Sequence, residues 1–166
     1  MLDDADRRIL KVLQSAGRIS NVDLAERVGL SPSPCLARVK ALEQRGVIKH
    51  YAALVDPDSV GLGISVFIQI TLERQIEKSL DTFEKRMAAL DEVMECYLMT
   101  GDSDYLIRVV VPDLRALERF IVRDVSTIPG VANIRSSMAL KQVKYNTALP
   151  LAGTVPPQRG RNRATA

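Results

Sequence analysis

The first 50 residues of the chain carry three short segments in which apolar side chains recur at the spacing of one helix face. Such spacing predicts amphipathic helices that bury one stripe of side chains against each other. The inward positions predicted are Ile9, Leu10 and Leu13 in the first segment, Leu24, Ala25 and Val28 in the second, and Cys35, Leu36, Val39 and Leu42 in the third. Three short helices with short connections predict a compact bundle.

Polar residues and glycines mark the ends of the first two helices. Asp3 can cap the first helix, and Gly17 is predicted to end it. Ser20 can cap the second, with Asp23 where a capping-box acid would stand. Gly29 follows as the residue that can adopt the left-handed conformation of a sharp stop. The turn after Gly29 therefore resembles that of a helix-turn-helix.

The third helix begins at a serine followed by two prolines. Ser31 is placed to cap it, and Pro32 and Pro34 fall in the first turn, where backbone amides have no intrahelical partner. Since Pro34 has no N–H, the Ser31 hydroxyl is expected to bond the amide of Ser33. Gly46 is predicted to end this helix.

Residues 47–55 alternate loosely between apolar and polar and predict a hairpin wing, with Lys49 and His50 near its tip. Together these elements predict a winged helix-turn-helix over residues 1–55, an architecture that reads DNA. Asp, Pro and Gly residues over 56–63 then predict a linker.

The rest of the chain alternates strand and helix patterns in the order β-α-β-β-α-β. The predicted ranges are 64–72, 79–90, 93–100, 105–111, 113–127 and 131–143. This order is that of a ferredoxin-like sandwich, with two helices on one antiparallel sheet. We therefore predict an α+β protein whose second domain spans residues 64–148.

The charge is distributed unevenly between these regions. Residues 1–55 carry nine Lys/Arg against six Asp/Glu, whereas residues 56–148 carry 11 against 14. Residues 149–166 add three arginines, and their Gly- and Pro-rich composition predicts a basic, disordered tail. A basic N-terminal region followed by an acidic region favours a domain that binds a polyanion, joined to a domain with another function.

Composition narrows the class of protein further. An apolar fraction of 46% predicts folded cores, and no apolar run is long enough to span a membrane or serve as a signal peptide. We therefore expect a soluble, cytoplasmic protein without membrane partners. Cys35 and Cys96 lie 61 positions apart and form no CxxC pair, so both are interpreted as small buried apolar residues.

Long blocks of the sequence resemble one known family. The front carries GRISNVDLAERVGLSPSPCLARVKALE and the back carries ECYLMTGDSDYLIRVVVPD. Over about residues 2–150 the chain resembles the Lrp/AsnC family of feast/famine transcriptional regulators. Within that family, VMECYLMTGDSDYL and NIRSSMALKQVKY look most like regulators of branched-chain keto-acid dehydrogenase or proline dehydrogenase operons.

This resemblance implies a winged helix-turn-helix joined to an effector-binding domain. It implies homodimers that pair through the C-terminal sheets and assemble into tetramers or octamers, around which double-stranded DNA can wrap. It also implies a small amino-acid effector, such as a branched-chain amino acid or proline, held where dimers meet. The expected function is therefore sequence-specific regulation of genes of amino-acid metabolism.

The outer face of the third helix is the candidate DNA-binding surface. Small residues there would let the helix approach a duplex closely, while basic residues reach phosphates or guanine edges. The candidates are Ser31, Ser33, Pro34, Ala37, Arg38, Lys40, Arg45 and Lys49. We expect Arg38 to contact a base or phosphate, and Lys40 and Lys49 to contact phosphates. The alternative is a solvated polar face with no ligand.

The turn after the second predicted strand is the candidate effector loop. Gly101 can expose backbone groups to a ligand carboxylate, while Asp102 or Asp104 can pair with an α-ammonium. The candidate residues are Thr100, Gly101, Asp102, Asp104, Tyr105, Ser136, Ser137 and Met138. The alternatives are an ordinary hairpin turn for the first group and a half-buried strand face for the last three.

Other kinds of chemistry find little support. His50 is the single histidine, so one chain offers neither a His-based metal site nor a Ser/His triad. Gly61 and Gly63 lack the third glycine of a dinucleotide fingerprint. We therefore expect no enzyme activity and no metal or cofactor. The rival function is a ligand-independent architectural protein that binds DNA broadly.

Overall fold

A computed structural model describes residues 2–74 and 77–151 of the chain. These residues form two compact units, one of residues 2–53 with 144–151 and the other of residues 54–143. The chain therefore passes between the units twice. The predicted disordered tail lies, from residue 152 onward, outside the described residues.

The first unit contains the three predicted helices. They are α1 (Asp4–Leu13), α2 (Asn21–Val28) and α3 (Pro32–Gln44). A shared core holds them together, formed by Ile9, Leu10, Leu24, Ala25, Val28, Cys35 and Leu42. The predicted inward faces of α1 and α2 are thus confirmed.

Local signals set most of the helix ends. Asp3 caps α1 in a reciprocal capping box with Asp6, and Ser20 accepts a hydrogen bond from the Asp23 amide at 3.1 Å. Gly29 ends α2 with a φ of 70°, a left-handed conformation that a side chain would strain. The predicted caps of α1 and α2 are therefore confirmed, although α1 ends at Leu13, before Gly17.

Two predictions about α3 are wrong. The Ser31 hydroxyl makes no capping bond: Pro34 has no amide hydrogen to donate, and the Ser33 amide, which was predicted to donate instead, does not do so. Leu36 is 42% exposed instead of inward, since it lies about 100° around the helix from the fully buried Cys35. The buried face of α3 is therefore narrower than the apolar pattern suggests.

The predicted hairpin over residues 47–55 is absent, as this fully described stretch contains no paired strand. The amides of Val47 and Ile48 instead bond the carbonyl of Leu42 at 2.9 and 3.2 Å, which turns the chain over the end of α3. Further on, the Tyr51 hydroxyl donates to Glu43 at 2.9 Å. An isolated two-stranded hairpin is marginal in water, and here nothing in the first unit supplies a third strand.

The last described residues return to the first unit. The predicted effector domain extended to residue 148, but residues 144–151 pack with the three helices. Leu151 lies against their core, and Leu149 hydrogen bonds to Gln14. We call residues 144–151 the C-terminal strap.

The second unit has the predicted order of strands and helices. Its elements are β1 (Ile64–Leu72), α4 (Glu77–Ala88), β2 (Val93–Leu98), β3 (Tyr105–Val111), α5 (Leu114–Arg119) with a π-helical turn (Phe120–Val125), and β4 (Val131–Met138). The strands are antiparallel in the order β2-β3-β1-β4. The predicted α+β class and its ferredoxin-like plan are confirmed.

β4 is shorter than predicted and ends at Met138 instead of residue 143. Met138 pairs with Val66, and the Ala139 amide bonds the carbonyl of Ser65 at 3.0 Å. Because β1 begins at Ile64, the following residues have no strand to pair with. Leu140 is accordingly 96% exposed.

The two faces of this sheet differ. One face packs against α4 and α5 and buries alternate residues of β1 and β3, among them Val66, Ile68, Ile70, Ile107 and Val109. The other face presents Phe67 and Gln69 of β1, with Tyr97, Leu106, Arg108 and Arg135 on neighbouring strands. We call this second surface the open sheet face. No helix in the described part of the chain is long and apolar enough to cross a membrane.

Candidate DNA-binding helix and effector loop

The exposed face of α3 is built from residues three or four positions apart. Ser33, Ala37, Lys40 and Gln44 follow this spacing, and all four are exposed. Gln44 was not among the predicted residues, although its position four residues after Lys40 would have indicated it. The face offers one cation, two small residues and an amide, a combination that suits a duplex groove.

The remaining predicted residues border this face. Ser31, Pro34, Arg45 and Lys49 are all exposed, and Arg45 is the residue that caps the C-terminal end of α3. Glu43 is the single acid in α3, and its carboxylate accepts from the hydroxyl of Tyr51. The predicted residues all lie on or beside α3, but the Arg38 side chain is directed towards α1.

Arg38 points towards α1 instead of outward. Its Nη1 lies 2.7 Å from Oδ2 of Asp3 and 2.8 Å from Oδ1 of Asp6. The Asp6 amide and then the Arg38 guanidinium lower the pKa of the Asp3 carboxyl. The structure therefore gives Arg38 two carboxylate partners within its own chain.

Two further hydrogen bonds fix the turn between α2 and α3. The side-chain amide of Asn21 donates to the carbonyl of Pro32 at 2.8 Å, and the Nε of Arg8 donates to the carbonyl of Val28 at 3.2 Å. Both bonds end on backbone carbonyls beside the turn. They position the beginning of α3, the part of such a helix that enters a groove.

The loop between β2 and β3 has the conformation expected of its glycine. Gly101 has a φ of 127°, which disfavours any other residue, while Thr100 and Asp102 are exposed. Asp104 is different. It is buried, and its Oδ2 accepts from the amide of Leu72 at 2.6 Å. Asp104 therefore joins the loop to the end of β1.

Tyr105 belongs to the core. It is 1% exposed, its ring centre lies 4.4 Å from that of Phe83, and its hydroxyl donates to Glu84 at 2.8 Å. Burial and then the Glu84 carboxylate raise the pKa of Tyr105 above its usual range. The structure thus places this predicted effector residue beneath the sheet surface.

Ser136, Ser137 and Met138 do not meet the loop within one chain. They pair with Ile68, Phe67 and Val66 of β1, so Ser137 lies on the open sheet face and the other two lie on the opposite face. β4 and β3 are separated by β1, which places them about 10 Å apart. The predicted effector residues therefore form two separate groups.

The two cysteines differ in environment. Cys35 is fully buried, as predicted, and burial raises the pKa of its thiol. Cys96 is exposed, which contradicts its predicted burial, because it lies on β2 at the edge of the sheet. Edge strands have a neighbour on one side only.

Comparison with known proteins agrees with both units. Residues 2–49 match the family model for a winged helix-turn-helix DNA-binding domain, and residues 65–149 match that for the Lrp/AsnC ligand binding domain. The chain belongs to the Lrp/AsnC family. It is accordingly a DNA-binding transcription regulator with a domain for an amino-acid effector.

Relatives of this Lrp/AsnC chain extend along most of its length. It is 42% identical to the leucine-responsive regulatory protein of Escherichia coli over 148 residues, which cover 89% of this chain and 90% of that protein. It is also similar to a transcriptional regulator from Neisseria meningitidis solved as a complex with L-Met. That structure has a TM-score of 0.88 and 41% identity, with 92% of this chain and 98% of the other covered.

An AsnC family transcriptional regulator from Agrobacterium tumefaciens gives a similar result. Its TM-score is 0.86 at 40% identity, and the match covers 90% of this chain and 97% of that one. Sequence and structure thus relate both halves of this Lrp/AsnC chain to the same family.

Proposed function

We propose that this protein regulates genes of amino-acid metabolism by binding specific DNA sequences in response to a small amino-acid effector. The observation that carries the proposal is the uncovered face of α3, on which Ser33, Ala37 and Lys40 are exposed beside a turn held by Asn21. A recognition helix needs such a face and a fixed entry angle.

In the proposed complex, the first turns of α3 enter the major groove. Ser33 and Ala37, in these turns, are small enough for the backbone to approach base edges. At the C-terminal end of α3, Gln44 offers an amide whose donor and acceptor complement those of adenine. Lys40, Arg45 and Lys49 neutralise phosphates around the groove. These charges supply affinity, while the small and amide side chains supply sequence preference.

The second part of the proposal is a homodimer formed through the open sheet face, which assembles further into a tetramer or octamer. Phe67 is 39% exposed at the centre of that face, and Tyr97 is 52% exposed on the edge strand β2 of the same face. Exposed apolar residues within a paired sheet favour packing against a second sheet. Paired α3 helices would then read half-sites about one helical turn apart, or a multiple of it.

The third part concerns the effector. Since the loop at Gly101 and the strand at Ser136 do not meet in one chain, we propose that they come from different protomers of the assembly. The exposed Asp102 then pairs with the ligand ammonium, and the loop backbone at Gly101 faces its carboxylate. We propose a branched-chain amino acid, proline or a similar amino acid. Leucine and L-Met are named for the relatives above and belong in the same test.

The likeness of the segments at residues 93–106 and 133–145 to particular regulators suggests the target. We propose that the regulated genes are an operon of branched-chain keto-acid or proline dehydrogenase. We further propose that the chain itself catalyses no reaction. The effector acts by favouring one of two oligomeric arrangements of the protein. This requires that it bind the two arrangements with different affinities.

The proposal is tested by binding to a fluorescent duplex taken from upstream of the chain's own gene, with a scrambled duplex as control. Anisotropy is measured at fixed salt with and without leucine, isoleucine, valine, proline, cysteine and methionine. Preference for the upstream duplex, altered by one amino acid, is the expected result. Equal affinity for both duplexes, with no response to any amino acid, contradicts the proposal and favours the architectural alternative.

A further inference from the structure

We propose that Arg38 is a positioning residue, which sets the orientation of α3 through Asp3 and Asp6 of α1 instead of contacting DNA itself. The inference rests on the proposed reading of DNA by α3. It reverses the role that the sequence suggested for this arginine, which lies next to the exposed Ala37.

The carboxylates of Asp3 and Asp6 are fully engaged around the capping box. Oδ1 of Asp3 accepts from the Asp6 amide at 2.8 Å, and Oδ2 of Asp6 accepts from the Asp3 amide at 3.3 Å. The remaining oxygen of each carboxylate accepts from the same Nη1 of Arg38. The Nη1 of Arg38 on α3 therefore joins Asp3, the N-cap of α1, and Asp6, its third residue, in one hydrogen-bonded ring.

The burial of Asp6 makes this ring unfavourable to open, although its other members are more exposed. The Asp6 side chain is 10% exposed, that of Arg38 is 37% exposed and that of Asp3 is 53% exposed. If Arg38 turned towards a phosphate, it would leave a nearly buried carboxylate without its cation, and such uncompensated charges are strongly unfavourable. Arg38 is consequently held in place by two carboxylates of its own folding unit.

The position of the Arg38 contact along α3 explains how it would affect DNA binding. The bond from Asn21 to Pro32 holds the beginning of α3, and Arg38 holds the helix almost two turns later. Two attachments along one helix fix its rotation about its own axis. That rotation decides whether Ser33 and Ala37 face outward together.

An electrostatic role and a positioning role of Asp3 predict opposite effects of its substitution on DNA binding. Loss of an acid near DNA should strengthen binding if charge alone matters. If Asp3 instead positions α3, Asp3→Asn should weaken binding even though it removes a negative charge, while Asn retains the ability to cap α1. The experiment uses the full chain with the upstream and scrambled duplexes described above, over a series of salt concentrations.

We expect Arg38→Gln and Asp3→Asn each to weaken binding to the upstream duplex about tenfold, a size typical of one coupled contact. The double variant should bind no more weakly than either single variant. The slope of log K against log salt should stay unchanged in all three. The matched control is Lys40→Gln, which should lower the magnitude of that slope by about one on both duplexes.

The proposal is overturned if Arg38→Gln lowers the salt slope by about one while Asp3→Asn leaves or strengthens binding. Arg38 would then contact a phosphate directly. Urea unfolding of the same variants without DNA gives a second, independent criterion. Additive effects of Arg38→Gln and Asp6→Asn on stability would refute the coupling, whether or not the chain prefers the upstream duplex.

Discussion

Gln14, the residue that caps the C-terminal end of α1, pairs with the backbone of Leu149, which lies 135 positions further along the chain. The Gln14 Nε2 donates to the Leu149 carbonyl at 3.2 Å, and the Leu149 amide donates to the Gln14 Oε1 at 2.6 Å. With Leu151 against the helix core, this pair attaches the C-terminal strap to the DNA-binding unit. The three helices and the strap therefore form a single folded body.

The first prediction concerns this pair. Gln14→Ala should lower the free energy of opening of residues 2–53 by about 1 kcal/mol, because two partly solvated hydrogen bonds are lost. Amide hydrogen exchange measures this opening residue by residue. Ser15→Ala is the control, since among the described residues the Ser15 hydroxyl bonds only the nearby carbonyl of Val12. Equal protection in both variants would show that the Gln14–Leu149 pair contributes nothing to the unit.

The second prediction separates Asp104 from Asp102. Asp104→Ala should destabilise the chain by about 1–3 kcal/mol in urea unfolding, because the Leu72 amide loses its carboxylate partner in a buried site. The exposed Asp102→Ala should change stability by less than about 0.5 kcal/mol. Under the proposed function, Asp102→Ala should weaken the effector response. Unchanged stability of Asp104→Ala would contradict its structural role.

The third prediction concerns acid. The Asp6 amide, and after it Arg38, holds the pKa of Asp3 below its usual range, so the folded chain releases this proton more readily than the unfolded chain. The resulting stability is present above about pH 3.9 and is lost as pH falls through the lowered pKa. Urea midpoints between pH 6 and pH 3 should therefore fall less steeply for Asp3→Asn than for the unaltered chain. Parallel curves would argue against the contribution.

The fourth prediction compares the thiols. A thiol reagent at neutral pH should label Cys96 in the folded chain and Cys35 only after unfolding, because Cys35 is fully buried. Cys35→Ala should also cost about 1 kcal/mol through lost packing, whereas Cys96→Ala should cost less. Mass spectrometry of the labelled peptides decides the order of reaction. Rapid labelling of Cys35 in the native chain would refute its burial.

The fifth prediction concerns the open sheet face. Phe67→Asp should convert the proposed dimer into monomers in sedimentation velocity, because a carboxylate would be buried between two sheets. Val122→Asp is a suitable control, since Val122 is also exposed and apolar but lies on the π-helical turn. If Phe67→Asp sediments like the unaltered chain, the dimer uses another surface.

The predictable features of this protein are local in sequence. Asp3, Ser20 and Gly29 mark helix ends through hydrogen bonds to residues within one turn. The alternation of apolar and polar residues around Ile68 predicts a strand with one buried face. These signals predicted the three helices of the first unit and the order of elements in the second, but not the absence of the hairpin over residues 47–55. They depend on the backbone geometry of a few neighbouring residues.

The features that sequence reasoning missed depend on distant partners. Arg38 has the spacing of an outward residue, but carboxylates 32 and 35 positions away draw it towards α1. Asp104 looks like a turn residue until the amide of Leu72, 32 positions earlier, is seen beside it. No periodicity in the chain records such pairs, because they form only when the tertiary structure brings them together.

The C-terminal strap has a consequence for the synthesis of this protein. The three helices leave the ribosome first, yet Leu149 and Leu151 are translated about a hundred residues after α3. A nascent or prematurely terminated chain thus carries an incomplete DNA-binding unit. Fragments that lack the effector domain also lack the strap, so their three helices should open more readily and be easier targets for proteases. The DNA-binding unit therefore gains its last stabilising contacts only when translation has passed Leu151.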